Sequence, residues 1–169
     1  AKYLHITTNN TIYGTQYHQF PDADCIKIAD MSSDIFCREI NAKHFDLIYA
    51  GAQKNLGPAG TTMVILKDDI LGKVDRQIPT MLDYRTHIKK GSMFNTPPVF
   101  SIYFCMLTLR WIKEQGGLAA VEKINRRKSE KLYAEIDSNP VFEGTAAKED
   151  RSMMNVTFVS KPELQQEFL

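Results

Sequence analysis

Residues 45–66 read FDLIYAGAQKNLGPAGTTMVIL. Two apolar runs, Phe45 to Ala50 and Thr61 to Leu66, flank a stretch of glycine, alanine, proline and a single lysine. Runs of six rich in Ile, Val, Leu and Tyr and broken by glycine predict strands. A parallel pair needs a crossover, and the connection from Gly51 to Gly60 is too short to hold a helix, so these two strands are expected to lie antiparallel. Working outward, Tyr3 to Thr7 and Cys25 to Ala29 predict two earlier strands, the second ending at Asp30. Between them, TTNNTIYGTQ (residues 7–16) is polar and turn-rich, a loop of the kind that carries function on a rigid scaffold. After the second strand, DMSSDIFCREI (residues 30–40) supplies Asp and Ser for caps and turns. Short apolar strands separated by longer connections indicate an α/β fold whose sheet is mostly parallel with at least one antiparallel member.

Beyond Gly91 the pattern turns helical. Thr96 is a suitable N-cap and Pro97 suits a first helical position, and Val99 to Lys113 is almost continuously apolar, which predicts a helix buried on most of its surface with Trp111 in the core. Gly116 and Gly117 end it. A second helix, Leu118 to about Asp137, is amphipathic: Val121, Ile124, Lys128, Leu132 and Ile136 recur near helical spacing, and Glu122 can pair with Arg126. The basic cluster RRKSEK (126–131) then falls on a solvated helix face. Val141 to Ser160 is strand-like, most clearly Asn155 to Val159, and KPELQQEFL (161–169) reads as the first turns of another helix. The break at Gly116 and Gly117 predicts two units, residues 1–117 and 118–169.

The chain has 169 residues, 43% of them hydrophobic, enough for a sizeable core. Its 21 basic and 20 acidic residues are interspersed, so no basic stripe marks a nucleic-acid binder. No apolar run reaches the length of a spanning helix and no leader is visible, which makes a soluble cytoplasmic protein the expectation. Cys25, Cys37 and Cys105 show no paired spacing and are expected to be buried thiols of a reducing compartment. His5, His18, His44 and His87 have no metal-ligand spacing, and Met153 and Met154 are expected to pack in the interior. Both ends start or stop inside an element, as an internal piece of a longer protein would.

Lys54 stands just past a strand end, where α/β proteins gather ligands. An amine shielded from water is favoured in its neutral form and can condense with an aldehyde, while Gly51, Ala52, Gly57, Ala59 and Gly60 leave room for a flat ligand. On spacing alone, an exposed lysine in a hairpin turn remains open. A phosphate-cradling P-loop does not, because no Ser or Thr follows Lys54 and the glycine spacing is wrong.

Four segments carry more than spacing: NNTIYGT (9–15), ADMSSD (29–34), YAGAQKNLGPAG (49–60) and GSMFNTPP (91–98). In this order they resemble the phosphoserine aminotransferase family of class V, fold-type I pyridoxal-phosphate enzymes, over essentially the whole chain. The resemblance implies part of a fold-type I large domain, a mostly parallel mixed sheet with helices in residues 1–117, followed by a linking helix and the start of a small α+β C-terminal domain. It implies that Lys54 forms the Schiff base with pyridoxal phosphate, that Asp30 partners the pyridine nitrogen, that Thr11 bonds the hydroxyl side of the ring, and that Gln53 contacts the cofactor phosphate. Asn95 and Thr96 would reach the phosphate in a neighbouring subunit, giving a homodimer with a shared site.

The activity implied is amino transfer between glutamate and 3-phosphohydroxypyruvate, giving 3-phosphoserine and 2-oxoglutarate in serine synthesis, with a related phosphorylated 2-oxo acid of vitamin B6 synthesis as a second substrate. Other parts of the family's site, including a glycine-rich phosphate turn, a tryptophan over the ring and substrate-binding arginines, come from regions outside these residues, so this chain alone is expected to be inactive or nearly so. The alternatives are another class V enzyme, such as a serine–glyoxylate aminotransferase or a cysteine desulfurase, and a non-catalytic fragment supplying only dimer contacts.

Overall fold

Strand β1 (Tyr3–Thr7) opens the chain and is followed by two two-residue strands, β2 (Asn9–Asn10) and β3 (Thr15–Gln16), that pair antiparallel as a small hairpin. The segment read as a loop is therefore an ordered turn. Asn10 makes it: its side-chain oxygen accepts from the N–H groups of Ile12 and Tyr13, both at 3.0 Å, and its carbonyl accepts from Gly14 at 3.0 Å. Gly14 closes the turn at φ +66°, where a side chain would lie 2.8 Å from the Asn155 carbonyl oxygen. The computed structural model describes residues 2–164.

Strands β4 (Ile26–Asp30), β5 (Leu47–Gly51) and β6 (Thr62–Leu66) join β1 in one sheet of order β1-β4-β5-β6. The first three are mutually parallel, with His5 beside Ile28 and Asp30 beside Tyr49, and β6 runs antiparallel to β5 from Leu47 beside Leu66 to Gly51 beside Thr62. The mostly parallel sheet with an antiparallel edge thus forms as residues 45–66 predict. Alternate residues of one sheet face, Ile6, Ala29, Ile48 and Ala50, enter a core completed by Met31, Ile35, Phe45, Ala52, Leu56 and Cys105.

Helices α1 (Tyr84–Lys89), α2 (Val99–Glu114) and α3 (Leu118–Ser138) follow, and β7 (Phe142–Gly144) pairs antiparallel with β8 (Phe158–Ser160). Several expectations change here. Helix α2 begins at Val99 with Pro98 in the cap position and no side-chain cap bond, so Thr96 caps nothing. Nor is α2 mostly buried: only Ser101, Cys105 and Ile112 are, because a single face meets the core, and Trp111 is half exposed. In α3 the buried residues are Val121, Asn125, Ser129 and Ile136, while Leu132 faces out. The stripe runs through Asn125 because its amide donates to the Cys37 carbonyl at 3.1 Å, a polar contact that hydrophobic spacing does not register. Finally, residues 155–157 precede β8 rather than belonging to it, since the Thr157 hydroxyl is drawn to the Tyr13 carbonyl at 3.0 Å. The helix read at 161–169 is a 3-10 turn at Pro162–Leu164, and the remainder lies outside the described residues.

Glu122 and Arg126 pair at 2.7 Å and the basic cluster of α3 is exposed apart from Ser129, as expected; of the two methionines expected inside, Met153 is buried and Met154 half-buried. The three cysteines are free; Cys37 and Cys105 are buried and Cys25 half-buried. Burial pushes the Cys37 thiol up from 9.0 to about 12, with Asp34 nearby adding to the rise. Across that interval the folded chain keeps a proton that the unfolded chain loses, so this thiol's contribution to stability is complete below pH 9 and falls as pH rises toward 12. At pH 8, iodoacetamide should modify Cys25 well before Cys37, as peptide masses over a time course would reveal; equal rates would contradict the burial of Cys37.

Candidate functional site

The carboxyl ends of the parallel strands β1, β4 and β5 point the same way, and the segments leaving them meet. From β5 the chain enters a tight turn in which the Ala52 carbonyl accepts from Leu56 at 3.2 Å and Gly57 at 2.8 Å, while the Ala52 N–H bonds the Thr61 carbonyl at 2.9 Å. Gly57 is tucked against α2: a side-chain carbon there would lie 2.8 Å from the Cys105 sulfur. The turn holds Lys54 on its outer side, and Lys54 Nζ donates to Thr11 Oγ1 at 2.6 Å, across to the tip of the β2–β3 hairpin.

Asp30, the last residue of β4, accepts on Oδ1 from the Ser32 N–H at 2.9 Å and the Ser32 hydroxyl at 2.6 Å. Ser32 Oγ in turn accepts from the Gly51 N–H at 3.1 Å, tying the end of β4 to the end of β5. Asp30 and Lys54 line one cleft of about 200 Å³, together with Thr11, Asn9, Ser32 and Ser33. Of the residues singled out in the sequence, the structure brings Lys54, Asp30 and Thr11 together. It does not bring Gln53, Asn95 or Thr96 to that cleft: Gln53 folds back over Gly51, and Asn95 and Thr96 are exposed, with Asn95 Nδ2 donating to the Thr96 carbonyl at 3.1 Å.

Behind the cleft, Tyr49 on β5 lies beside Asp30, and its hydroxyl is 3.1 Å from His5 Nε2, with the two rings stacked. Burial, reinforced by the Asp30 charge, pushes the Tyr49 phenol up, so it remains protonated. Deeper still, Asp34 accepts from Thr8 Oγ1 at 2.5 Å and Gln16 Nε2 at 3.1 Å. Burial raises this carboxyl above its ordinary range, and those two hydrogen bonds oppose the rise. Sequence reading gave Asn9 no role of its own and took Ser32 and Ser33 only as cap or turn residues, although all three lie just beyond strand ends. That position, polar residues immediately past an apolar run, is the signal by which they could be found.

None of the three cysteines lines the cleft. Among the described residues no cluster of His, Cys, Asp and Glu is arranged to hold a metal, and no helix is long and apolar enough to cross a membrane.

The sequence model of the family described as Aminotransferase class-V matches residues 1–166. A phosphoserine aminotransferase of Flavobacterium johnsoniae is 62% identical over 159 residues, which are 94% of this chain and 45% of the relative. A solved phosphoserine aminotransferase, studied for radiation damage of its Schiff base, superposes with a TM-score of 0.94 at 54% identity over 98% of this chain and 47% of its own. The PLP-bound phosphoserine aminotransferase of Trichomonas vaginalis superposes with a TM-score of 0.92 at 39% identity, over 98% and 48%. The chain spans about half the length of the relatives it matches.

Proposed function

The chain belongs to the class-V aminotransferase family, and on that footing we propose that the full-length protein carrying it is a pyridoxal-phosphate-dependent phosphoserine aminotransferase, moving an amino group between glutamate and 3-phosphohydroxypyruvate in serine synthesis. The observation that carries this is the meeting of Lys54, Thr11 and Asp30 at one cleft. The donor set fits the cofactor: one amine to hold an aldehyde, one carboxylate for a ring nitrogen, one hydroxyl for the ring's oxygen side, and small residues around the lysine that leave space for a flat ring. When bound, pyridoxal phosphate supplies an electron sink for the carbon that loses its proton.

This chain's residues do the rest. With the cofactor bound, Lys54 would hold its aldehyde, and Nζ, once freed by an amino-acid substrate, would be the base that takes and returns the α-proton of that substrate. Asp30, fixed by Ser32, would partner the ring nitrogen and favour its protonated form. Thr11 directs the Lys54 amine and would bond the ring's hydroxyl side. Gln53, next to Lys54 on the same turn though outside the cleft, and, from a second subunit, Asn95 and Thr96 would hold the cofactor phosphate. The second subunit is a copy of this chain in a homodimer: Phe100, Tyr103, Phe104, Leu107 and Trp111 leave an apolar face of α2 exposed directly after Asn95 and Thr96, and such patches mark interfaces. Residues 1–117 form the cofactor-binding part and 118–169 the entry to a smaller domain. The protein works in the cytoplasm.

Incubation with pyridoxal phosphate, borohydride reduction and peptide mapping provide the direct test. A pyridoxyl group on Lys54 is the expected result; a label on other lysines at equal yield, or none, would leave a scaffold fragment as the better account.

A further inference from the structure

Asn9, 2% exposed, has every hydrogen-bonding group of its side chain engaged. Its Nδ2 donates to Ser33 Oγ at 2.8 Å and Asn155 Oδ1 at 2.6 Å, and its Oδ1 accepts from the Ser152 hydroxyl. Ser33 returns a bond to the Asn9 carbonyl at 2.8 Å. Ser152, fully buried, also accepts on its hydroxyl from the Met154 and Asn155 N–H groups at 3.0 Å each, donates its own N–H to the Gly14 carbonyl at 2.8 Å, and receives Tyr133 OH on its carbonyl at 2.9 Å. Hydrogens and lone pairs can be assigned in one consistent way: both Nδ2 hydrogens go outward, and each serine gives its one hydrogen to an oxygen of Asn9. A single amide therefore joins the loop after Asp30, the hairpin carrying Thr11, and a segment 143 residues further along the chain.

The hairpin is held at both of its ends. Asn9 anchors the entry, and the Ser152 N–H and the Gln16 side chain anchor the exit, the latter through Gln16 Oε1 and the Met153 N–H at 3.2 Å. Between these ends the Tyr13 carbonyl accepts from the Thr157 hydroxyl at 3.0 Å, and at the turn tip Thr11 meets Lys54. We propose that Asn9 is a positioning residue: through Ser33 and Ser152 it sets the turn at residues 10–14 so that the Thr11 hydroxyl receives the Lys54 amine, and it thereby couples the seating of residues 152–155 to the reactivity of Lys54. The coupling rests on the assignment of Lys54 as the aldehyde acceptor, whereas the clasp itself does not.

The test uses Ser152→Ala in the full-length protein, with Ser138→Ala, an exposed serine of α3, as the control. Without added cofactor, hydrogen exchange at Ile12, Tyr13 and Gly14, whose N–H groups bond Asn10, should accelerate by about tenfold or more in Ser152→Ala while β4 and β5 keep their protection. With pyridoxal phosphate as the probe, and at a temperature well below the variant's own melting point, the initial rate of reductive labelling at Lys54 should fall by about tenfold. If Ser152→Ala does not fold, Asn155→Ala, which removes one bond from the same amide, carries both measurements. Unchanged exchange at residues 12–14, or faster exchange with an unchanged Lys54 labelling rate, overturns the proposal. A wild-type protein that takes no label at Lys54 refutes the aldehyde-acceptor assignment instead, and exchange then decides the clasp alone.

Discussion

Lys54→Ala in the full-length protein should lose transamination by at least about four orders of magnitude, because a positioned general base contributes up to about 10⁴-fold and this variant also loses the covalent hold on the cofactor. Among the described residues Lys54 is the one lysine lining the cleft. The fold should survive. Lys54 is exposed and its side chain makes a single polar contact, to Thr11, so its removal leaves no buried group unpaired. Melting temperature and far-UV circular dichroism should therefore match the wild type. A small exogenous amine added at high concentration should restore part of the lost rate, since a proton acceptor is what the cleft then lacks. Activity in Lys54→Ala within about tenfold of the wild type would remove the lysine from the chemistry altogether.

The strands were legible because apolar, β-branched runs ending in glycine have few other uses, and the antiparallel pairing of β5 with β6 followed from chain length alone. Helix α2 was found within a residue of its end, yet its environment was not. An apolar face announces that something covers it, and Phe100, Tyr103, Phe104 and Trp111 do not say whether that cover is the same chain or another. Thr96 misled for a local reason: a Thr-Pro pair suits a helix start, but Pro98 follows, and a residue that precedes proline is steered toward extended backbone, so the helix waits until Val99.

The site divided along a similar line. By its position past a strand Lys54 read first as an exposed turn lysine, and exposed it is; the four family-like segments rather than its spacing gave it a ligand role. Asp30 and Thr11 gained roles the same way, and the cleft then brought all three together. Ser32 and Asn9 stayed silent because their partners are fixed only by the fold: Ser32 joins two strand ends, and Asn9 meets Ser152 across 143 residues. Buried polar contacts of that range leave no periodic trace in a sequence.

Asp30→Asn isolates the charge of the carboxylate from its place in the fold. The asparagine side-chain oxygen can still accept from the Ser32 N–H and hydroxyl, so the tie from β4 through Ser32 to Gly51 is kept and stability should change little. What disappears is the negative charge that would partner the ring nitrogen. Two unit charges about 4 Å apart interact by about 4 kcal/mol at the effective dielectric of a partly exposed protein site. If that interaction is realised as the substrate's α-proton departs, its loss slows the proton transfer by about three orders of magnitude. The loss should appear in kcat rather than KM, because the charge acts on the reacting atoms and not on the substrate's own anionic groups. Asp30→Glu keeps the charge on a longer arm that cannot hold the same bonds to Ser32, and should fall between the two. Reductive labelling of Lys54 should persist in Asp30→Asn, since the aldehyde still meets the amine. A variant that labels normally, melts normally and turns over within about tenfold of the wild type would show that the carboxylate only closes the turn through Ser32, the structural role its hydrogen bonds already serve.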